Sequence, residues 1–141
     1  IDIREHNLQA LNEHPMRNRM ELIEGSSIDM DIIKRIHELS KDYKCIMVFL
    51  DSNHTHEHVL LELKAYAHLV SKDSYCVVFD SVVEDLPKEN TEAQVPWTVG
   101  NNPKTAIWEF LKNNTDFEID KEIEDKLLIS CAPDGFLKKI K

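Results

Sequence analysis

Two uninterrupted apolar runs, residues 45–50 (CIMVFL) and 75–79 (YCVVF), constrain this chain more than anything else in it. A strand that is apolar at every position is covered on both faces. Both runs therefore predict central strands of a sheet with helices packed on either side. Between them, residues 56–70 place Val59, Leu60, Leu63, Ala67 and Val70 at helical spacing. Upstream, residues 27–40 predict a helix with Ile28, Ile32, Ile33, Ile36 and Leu39 on one face and Asp29 and Asp31 near its start. Residues 1–3 predict a strand stub, residues 6–16 an irregular helix or loop, and residues 20–24 a short strand. The stretch 86–100 holds Pro87, Pro96 and Gly100 and predicts a long loop. Residues 103–113 predict a helix with proline in its first turn. Residues 117–119 and 127–131 predict two final strands, too close together for a helical crossover, which pair as an antiparallel hairpin. The expected fold is α/β: a mostly parallel sheet with helices on both faces, closed by that C-terminal hairpin.

The 141 residues are enough for one domain with its own core. A formal charge of −9 repels a phosphate backbone, which argues against nucleic acid as a partner. No apolar run approaches 18 residues, so no membrane span is expected. No basic start followed by an apolar stretch marks a signal peptide. Cys45, Cys76 and Cys131 form no CxxC pair and lie in or beside apolar runs. They are expected to be buried free thiols of a reducing, cytoplasmic compartment. The sequence opens on the strand-like Ile1-Asp2-Ile3, and its glycines are only Gly25, Gly100 and Gly135. The expectation is a single partial domain over residues 1–141 whose N-terminal strand and glycine-rich turn are missing.

Open α/β sheets collect ligands at the carboxyl ends of their strands. Those ends here carry Asp2, then Gly25-Ser26-Ser27, then the run from Asp51 to His58, then Asp80-Ser81. Asp51 and Asp80 end strands expected to be neighbours. Two converging carboxylates suit a hard divalent cation such as magnesium; alternatively, each aspartate caps the helix that follows it. His54, His56 and His58 offer general bases or metal ligands, with His54 and His58 on one helix face. They also fit as solvent-facing residues of a first turn. Asp51, His54 and His58 as an iron-binding triad is a further alternative. Asn101 and Asn102 open a helix start that can meet an anion or a substrate hydroxyl; plain capping by Asn102 ahead of Pro103 is the simpler alternative. Trp97 and Trp108 could wall an acceptor, although Trp108 falls on an apolar helix face and reads as core.

The segments LDSNHTHEHVLLELKAYAHLVS, EDLP, PWTVGNNPKTAIWEFL, FEID and KLLISCAPDGFLKKI together resemble the cephalosporin hydroxylase family, which includes rhamnosyl O-methyltransferases. The resemblance runs from Asp2 to Ile140 and implies a Rossmann-like methyltransferase fold that binds S-adenosylmethionine and magnesium. Residues 25–54 also look like the metal-dependent catechol O-methyltransferases. Those have a GxS turn, a strand ending in LD, and a basic residue three positions after that aspartate.

The resemblance makes Asp51 a metal ligand and His54 the general base. It sets Asp80 in a second ligand position, where Phe79 replaces the polar or acidic neighbour of relatives. Ser26, Ser27 and Ser52 fall on the cofactor side, with Ser27 near the adenine and Asp2 at the ribose hydroxyls. His56, Asn101 and Asn102 fall on the acceptor side. The function implied is O-methylation of a sugar or small-molecule hydroxyl, and a homo-oligomer is compatible with it. Two alternatives stand beside it. One is a non-catalytic piece of that fold binding metal or a protein partner. The other is a small-molecule hydroxylase.

Overall fold

A computed structural model describes residues 5–87 and 95–141. The expected strand at residues 1–3, and Asp2 with it, lie outside the described residues.

Helix α1 (Glu5–Asn12) occupies most of the stretch expected to be helix or loop. The strand expected over residues 20–24 does not form. Met20 has extended dihedrals, but no strand among the described residues pairs with it, and an extended segment without a ladder is not a strand. Helix α2 (Met30–Ser40) begins three residues later than expected. Asp29 is its N-cap, its Oδ1 accepting from the backbone N–H of Asp31 at 2.9 Å and of Ile32 at 3.3 Å. A cap takes extended dihedrals, so the helix cannot run back to Ser27.

Strand β1 (Val48–Leu50) leads into helix α3 (His56–Tyr66), which tightens into a 3-10 turn at Ala67–Leu69. Strand β2 (Tyr75–Val78) follows and pairs with β1 in parallel, Leu50 opposite Val78. The parallel pairing matches expectation. The central position of β1 does not. Among the described residues β1 is an edge strand, and its Phe49 is 59% exposed.

A 3-10 helix (Ser81–Asp85) follows β2, and helix α4 spans Pro103–Lys112. Of the long loop expected over residues 86–100, residues 88–94 lie outside the described residues. Asn102 caps α4 in a reciprocal box with Thr105. Trp108, expected in the core, is 43% exposed and lies 5.9 Å from the Lys104 ammonium. It falls between Ile107 and Glu109 on the outer side of the helix, while Ile107 turns inward.

Strand β3 (Phe117–Ile119) forms as expected, but its partner is not residues 127–131. That stretch starts on the last residue of helix α5 (Lys121–Leu127) and continues in a tight turn. Leu128 has φ 63 and ψ −43, and the Ile129 N–H donates to the Leu127 carbonyl at 2.8 Å. This is a γ-turn with positive φ, a strained form that no strand ladder accommodates. The antiparallel partner is β4 (Phe136–Lys139). It inserts between β2 and β3, giving the order β1-β2-β4-β3.

The core lies where α3 and α4 cover this sheet, centred on Leu63, Ile107, Val78 and Leu137. Of the thiols, only Cys76 is buried. Burial, and then the charge of Glu62, push it up to about 12. Cys45 and Cys131 are exposed, contrary to expectation, because neither lies within a strand.

The Tyr75 hydroxyl donates to Asp120 Oδ2 at 2.7 Å, tying β2 to the cap of α5. This bond holds Asp120 below the usual carboxylate range, and it raises Tyr75 to about 12. The stabilisation is full above the ordinary aspartate value near 4 and below the ordinary tyrosine value near 10. It is lost as pH falls through the depressed value of Asp120 or rises through the raised value of Tyr75. Tyr75→Phe should therefore lower the urea midpoint at neutral pH. The gap from the parent should narrow as pH drops below about 4. A gap that stays constant down to the acid transition would rule the linkage out.

Candidate active site

Asp51 and Asp80 leave the same end of the sheet because β1 and β2 are parallel and in register. Asp51 immediately follows β1. Asp80 comes two residues after Val78 in the left-handed conformation, φ 54 and ψ 23. Aspartate tolerates that region better than most residues, and strain there is a common mark of functional positions.

His54 Nε2 stands 3.5 Å from Asp51 Oδ1 and 3.3 Å from Asp80 Oδ2. One ligand atom from each of the three residues lies within 4.8 Å of the others. The His54 side chain is 17% exposed while that of Asp51 is 60% exposed, so the cluster opens to solvent on the Asp51 side. Trp97 lies against His54, ring centroids 4.8 Å apart. Phe79 stacks on Phe49 at 6.1 Å and adds no polar atom to the cluster.

The turn that carries Trp97 is fastened at several points. Asn101 Nδ2 donates to the Pro96 carbonyl at 2.9 Å, and Thr98 and Asn101 bond through both backbone groups. Glu84, from the segment after Asp80, accepts from the Gly100 N–H at 2.7 Å and from Asn102 Nδ2. Gly100 has φ 86, where a side chain would be strained. The wall beside His54 is therefore attached both to the Asp80 segment and to the cap of α4.

His56 bridges α3 and α4. Its N–H donates to Asn101 Oδ1 at 3.0 Å, Nδ1 lies 2.8 Å from Thr105 Oγ1, and Nε2 lies 3.1 Å from Glu109 Oε2. Asn102 is wholly buried, its side chain committed to the α4 cap, the Thr98 carbonyl and Glu84. Asn101 and His56 thus stand together, and Asn102 stands behind them.

Ser27 and Ser52 come together on the other side of Asp51, joined through His58. The His58 Nε2 lies 3.0 Å from Ser27 Oγ and 3.1 Å from Ser52 Oγ. His58 is not in the Asp51–His54–Asp80 group. Ser26 is exposed beside Ser27. Glu62, absent from the sequence-based expectations, is 2% exposed in this second cluster. Its only signal in the sequence is a charge inside the apolar stretch HVLLELKAY, four residues after His58.

Fold and site define a mixed α/β protein with an acidic, histidine-bearing site beyond the carboxyl ends of two parallel strands, compatible with a methyltransferase-like fold. The Rhamnosyl O-methyltransferase/CmcI family model matches residues 1–140, and the chain belongs to that family. It is 35% identical over 117 residues to proteins named rhamnosyl O-methyltransferase from Mycobacterium tuberculosis (strain ATCC 25618 / H37Rv) and Mycobacterium bovis (strain BCG / Pasteur 1173P2). The match covers 82% of this chain and 45% of theirs, so the chain spans less than half of their length. No solved structure matches it. Among the described residues, no helix is long and apolar enough to cross a membrane.

Proposed function

We propose that this chain carries the metal and base side of an O-methyltransferase site that uses S-adenosylmethionine and acts on a hydroxyl of a sugar or small molecule. The observation that supports it best is the convergence of Asp51, His54 and Asp80 at one sheet edge in a member of this family. The name of its relatives suggests a rhamnosyl acceptor. The donor set fits magnesium. Two carboxylates are hard oxygen ligands, and no thiolate joins them among the described residues.

A divalent cation bound there supplies Lewis acidity that makes an acceptor hydroxyl easier to deprotonate. Asp51 and Asp80 hold it, and the open Asp51 side admits the acceptor. His54 takes the hydroxyl proton on Nε2. Trp97 covers one side of that imidazole and limits water there. Ser26, Ser27 and Ser52 belong to the methyl-donor side. His56 and Asn101 border the acceptor side, with Asn102 positioning the turn behind them. The test is transfer of labelled methyl from S-adenosylmethionine to a rhamnoside, with and without a chelator. Transfer that is indifferent to the chelator would remove the cation from the reaction.

A second reading concerns these 141 residues taken alone, which would bind the metal but hold the methyl donor poorly. The sequence has three glycines and no glycine-rich turn after a strand. Such a turn lets backbone N–H groups approach a bound cofactor. The 141-residue chain by itself should therefore bind S-adenosylmethionine weaker than micromolar in calorimetry. Micromolar or tighter binding would discard that second reading.

A further inference from the structure

The wall beside His54 is a single indole on a short turn. The rings of Trp97 and His54 have centroids 4.8 Å apart and planes tilted by 55°. The bonds within the turn, Thr98 with Asn101 and Asn101 Nδ2 to the Pro96 carbonyl, give it its shape but not its place. Its place is set by bonds that leave it. One comes from the start of α3, where the His56 N–H donates to Asn101 Oδ1 at 3.0 Å. The others go to Glu84. A single oxygen, Oε2, accepts from the Gly100 N–H at 2.7 Å and from Asn102 Nδ2. Bonds to a carboxylate are about twice as strong as neutral ones. A Cβ on Gly100 would meet nothing within 4 Å, so it is the φ of 86 that asks for glycine there, not lack of space.

Glu84 itself stands on a fixed base. It belongs to the 3-10 helix Ser81–Asp85, which begins directly after Asp80. Ser81 is wholly buried and its Oγ donates to the Pro133 carbonyl at 2.6 Å. The Val82 N–H donates to the Cys131 carbonyl at 3.2 Å. Asp85, the next residue, takes Lys104 Nζ at 2.9 and 2.7 Å. Two adjacent carboxylates thus reach toward α4 with different results. Asp85 fastens the helix, whereas Glu84 fastens the turn that carries Trp97. The connection from Asp80 through Glu84, the turn and Trp97 to His54 closes on itself, since His54 Nε2 lies 3.3 Å from Asp80 Oδ2.

We propose that Glu84 is a positioning residue: by tying Gly100 and Asn102 to the segment after Asp80, it seats Trp97 on the His54 ring and keeps Nε2 aimed between the two carboxylates. This rests on the reading of His54 as the base. The role requires reach more than charge, because one oxygen takes both donors. A glutamine carbonyl oxygen has two lone pairs and can stand in that place, while aspartate is one methylene too short.

The test reads the seat directly. The indole ring current displaces the resonances of the His54 ring protons in the histidine-labelled chain, and Trp97→Leu measures by how much. Equal resonances in the parent and Trp97→Leu overturn the proposal before any other variant is made. Glu84→Ala and Glu84→Asp should lose most of the displacement, and Glu84→Gln and Asp85→Asn should keep it. A folded Glu84→Asp chain that keeps the displacement overturns the proposal, as does an Asp85→Asn chain that loses as much. If Glu84→Ala does not fold, the comparison of Glu84→Asp with Glu84→Gln decides. If none of the three Glu84 variants folds, the residue is structural and the proposal falls. In the transfer assay Glu84→Asp should lower kcat about tenfold, with the KM for the methyl donor and the magnesium affinity near parental, since a displacement of about 1 Å at a reacting group can cost up to roughly a hundredfold. A lost seat with parental kcat overturns the proposal and leaves the base reading intact, provided His54→Ala is slow. If His54→Ala transfers methyl at the parental rate, the base reading falls and takes this role with it. If the 141 residues alone do not turn over, the resonances decide.

Discussion

Asp51→Ala should reduce metal-dependent methyl transfer by at least about a hundredfold, since the loss of an outer partner of a metal ligand already costs roughly 10–100-fold. The same variant should weaken binding of magnesium or manganese to the chain. His54→Ala should behave differently. A general base contributes roughly 10²–10⁴-fold, so turnover should fall by that order while metal affinity stays near that of the parent. The contrast tests the proposed roles, since by position alone the His54 Nε2 could serve as a third ligand. Asp51 and Asp80 offer oxygens to one point, and the His54 Nε2 lies 3.5 Å and 3.3 Å from them. Metal titration by calorimetry alongside the transfer assay separates the two roles. Loss of metal binding in His54→Ala but not in Asp51→Ala would exchange them, and would point to a histidine-ligated transition metal.

Gly135→Ala should destabilise the protein by about 3 kcal/mol or more, near the upper end for overpacking. A Cβ at this position would press into the Val78 carbonyl oxygen and come within 3.0 Å of Ala132. Backbone can yield little here. The Gly135 carbonyl accepts from the Val78 N–H, and the Gly135 N–H donates to Ala132, each at 2.9 Å. Val78 ends β2 and stands two residues before Asp80, so the displaced strand end should also carry Asp80 away from His54. Denaturant midpoints and metal affinity should fall together. A variant with a parental midpoint would show that the strand end gives way easily.

The parallel strand pair and the helices at residues 30–40, 56–66 and 103–112 were legible because their periodicities are local. The approach of Asp51, His54 and Asp80 followed from the same pattern, given parallel neighbours. The C-terminal region was not legible in this way. Leu127, Leu128 and Ile129 make an apolar run that looks like a strand, and only the dihedrals of Leu128 show it to be a turn. Phe136–Lys139 reads FLKK, a short amphipathic stretch whose place between β2 and β3 depends on pairing partners distant in sequence. Glu62 escaped for a different reason. Strand ends point to the loops that follow them, whereas Glu62 lies inside a helix and joins the second cluster through Ser52 and His58. Trp97 meets His54 only through a turn held by Glu84, a residue 13 positions away in sequence.

The insertion of β4 between β2 and β3 has a kinetic consequence. Strands β2 and β3 are made earlier in the chain but share no ladder, and each pairs with Phe136–Lys139 instead. An intermediate lacking β4 can hold the β1–β2 pair and the α3–α4 contact, but β3 then has no strand to join. Closure of the sheet must wait for the most C-terminal strand and spans a loop of about sixty residues from β2, a contact of high sequence separation that slows folding. Until then the β2 edge is open to any other strand it meets, so crowding in that interval favours association between chains over completion of one.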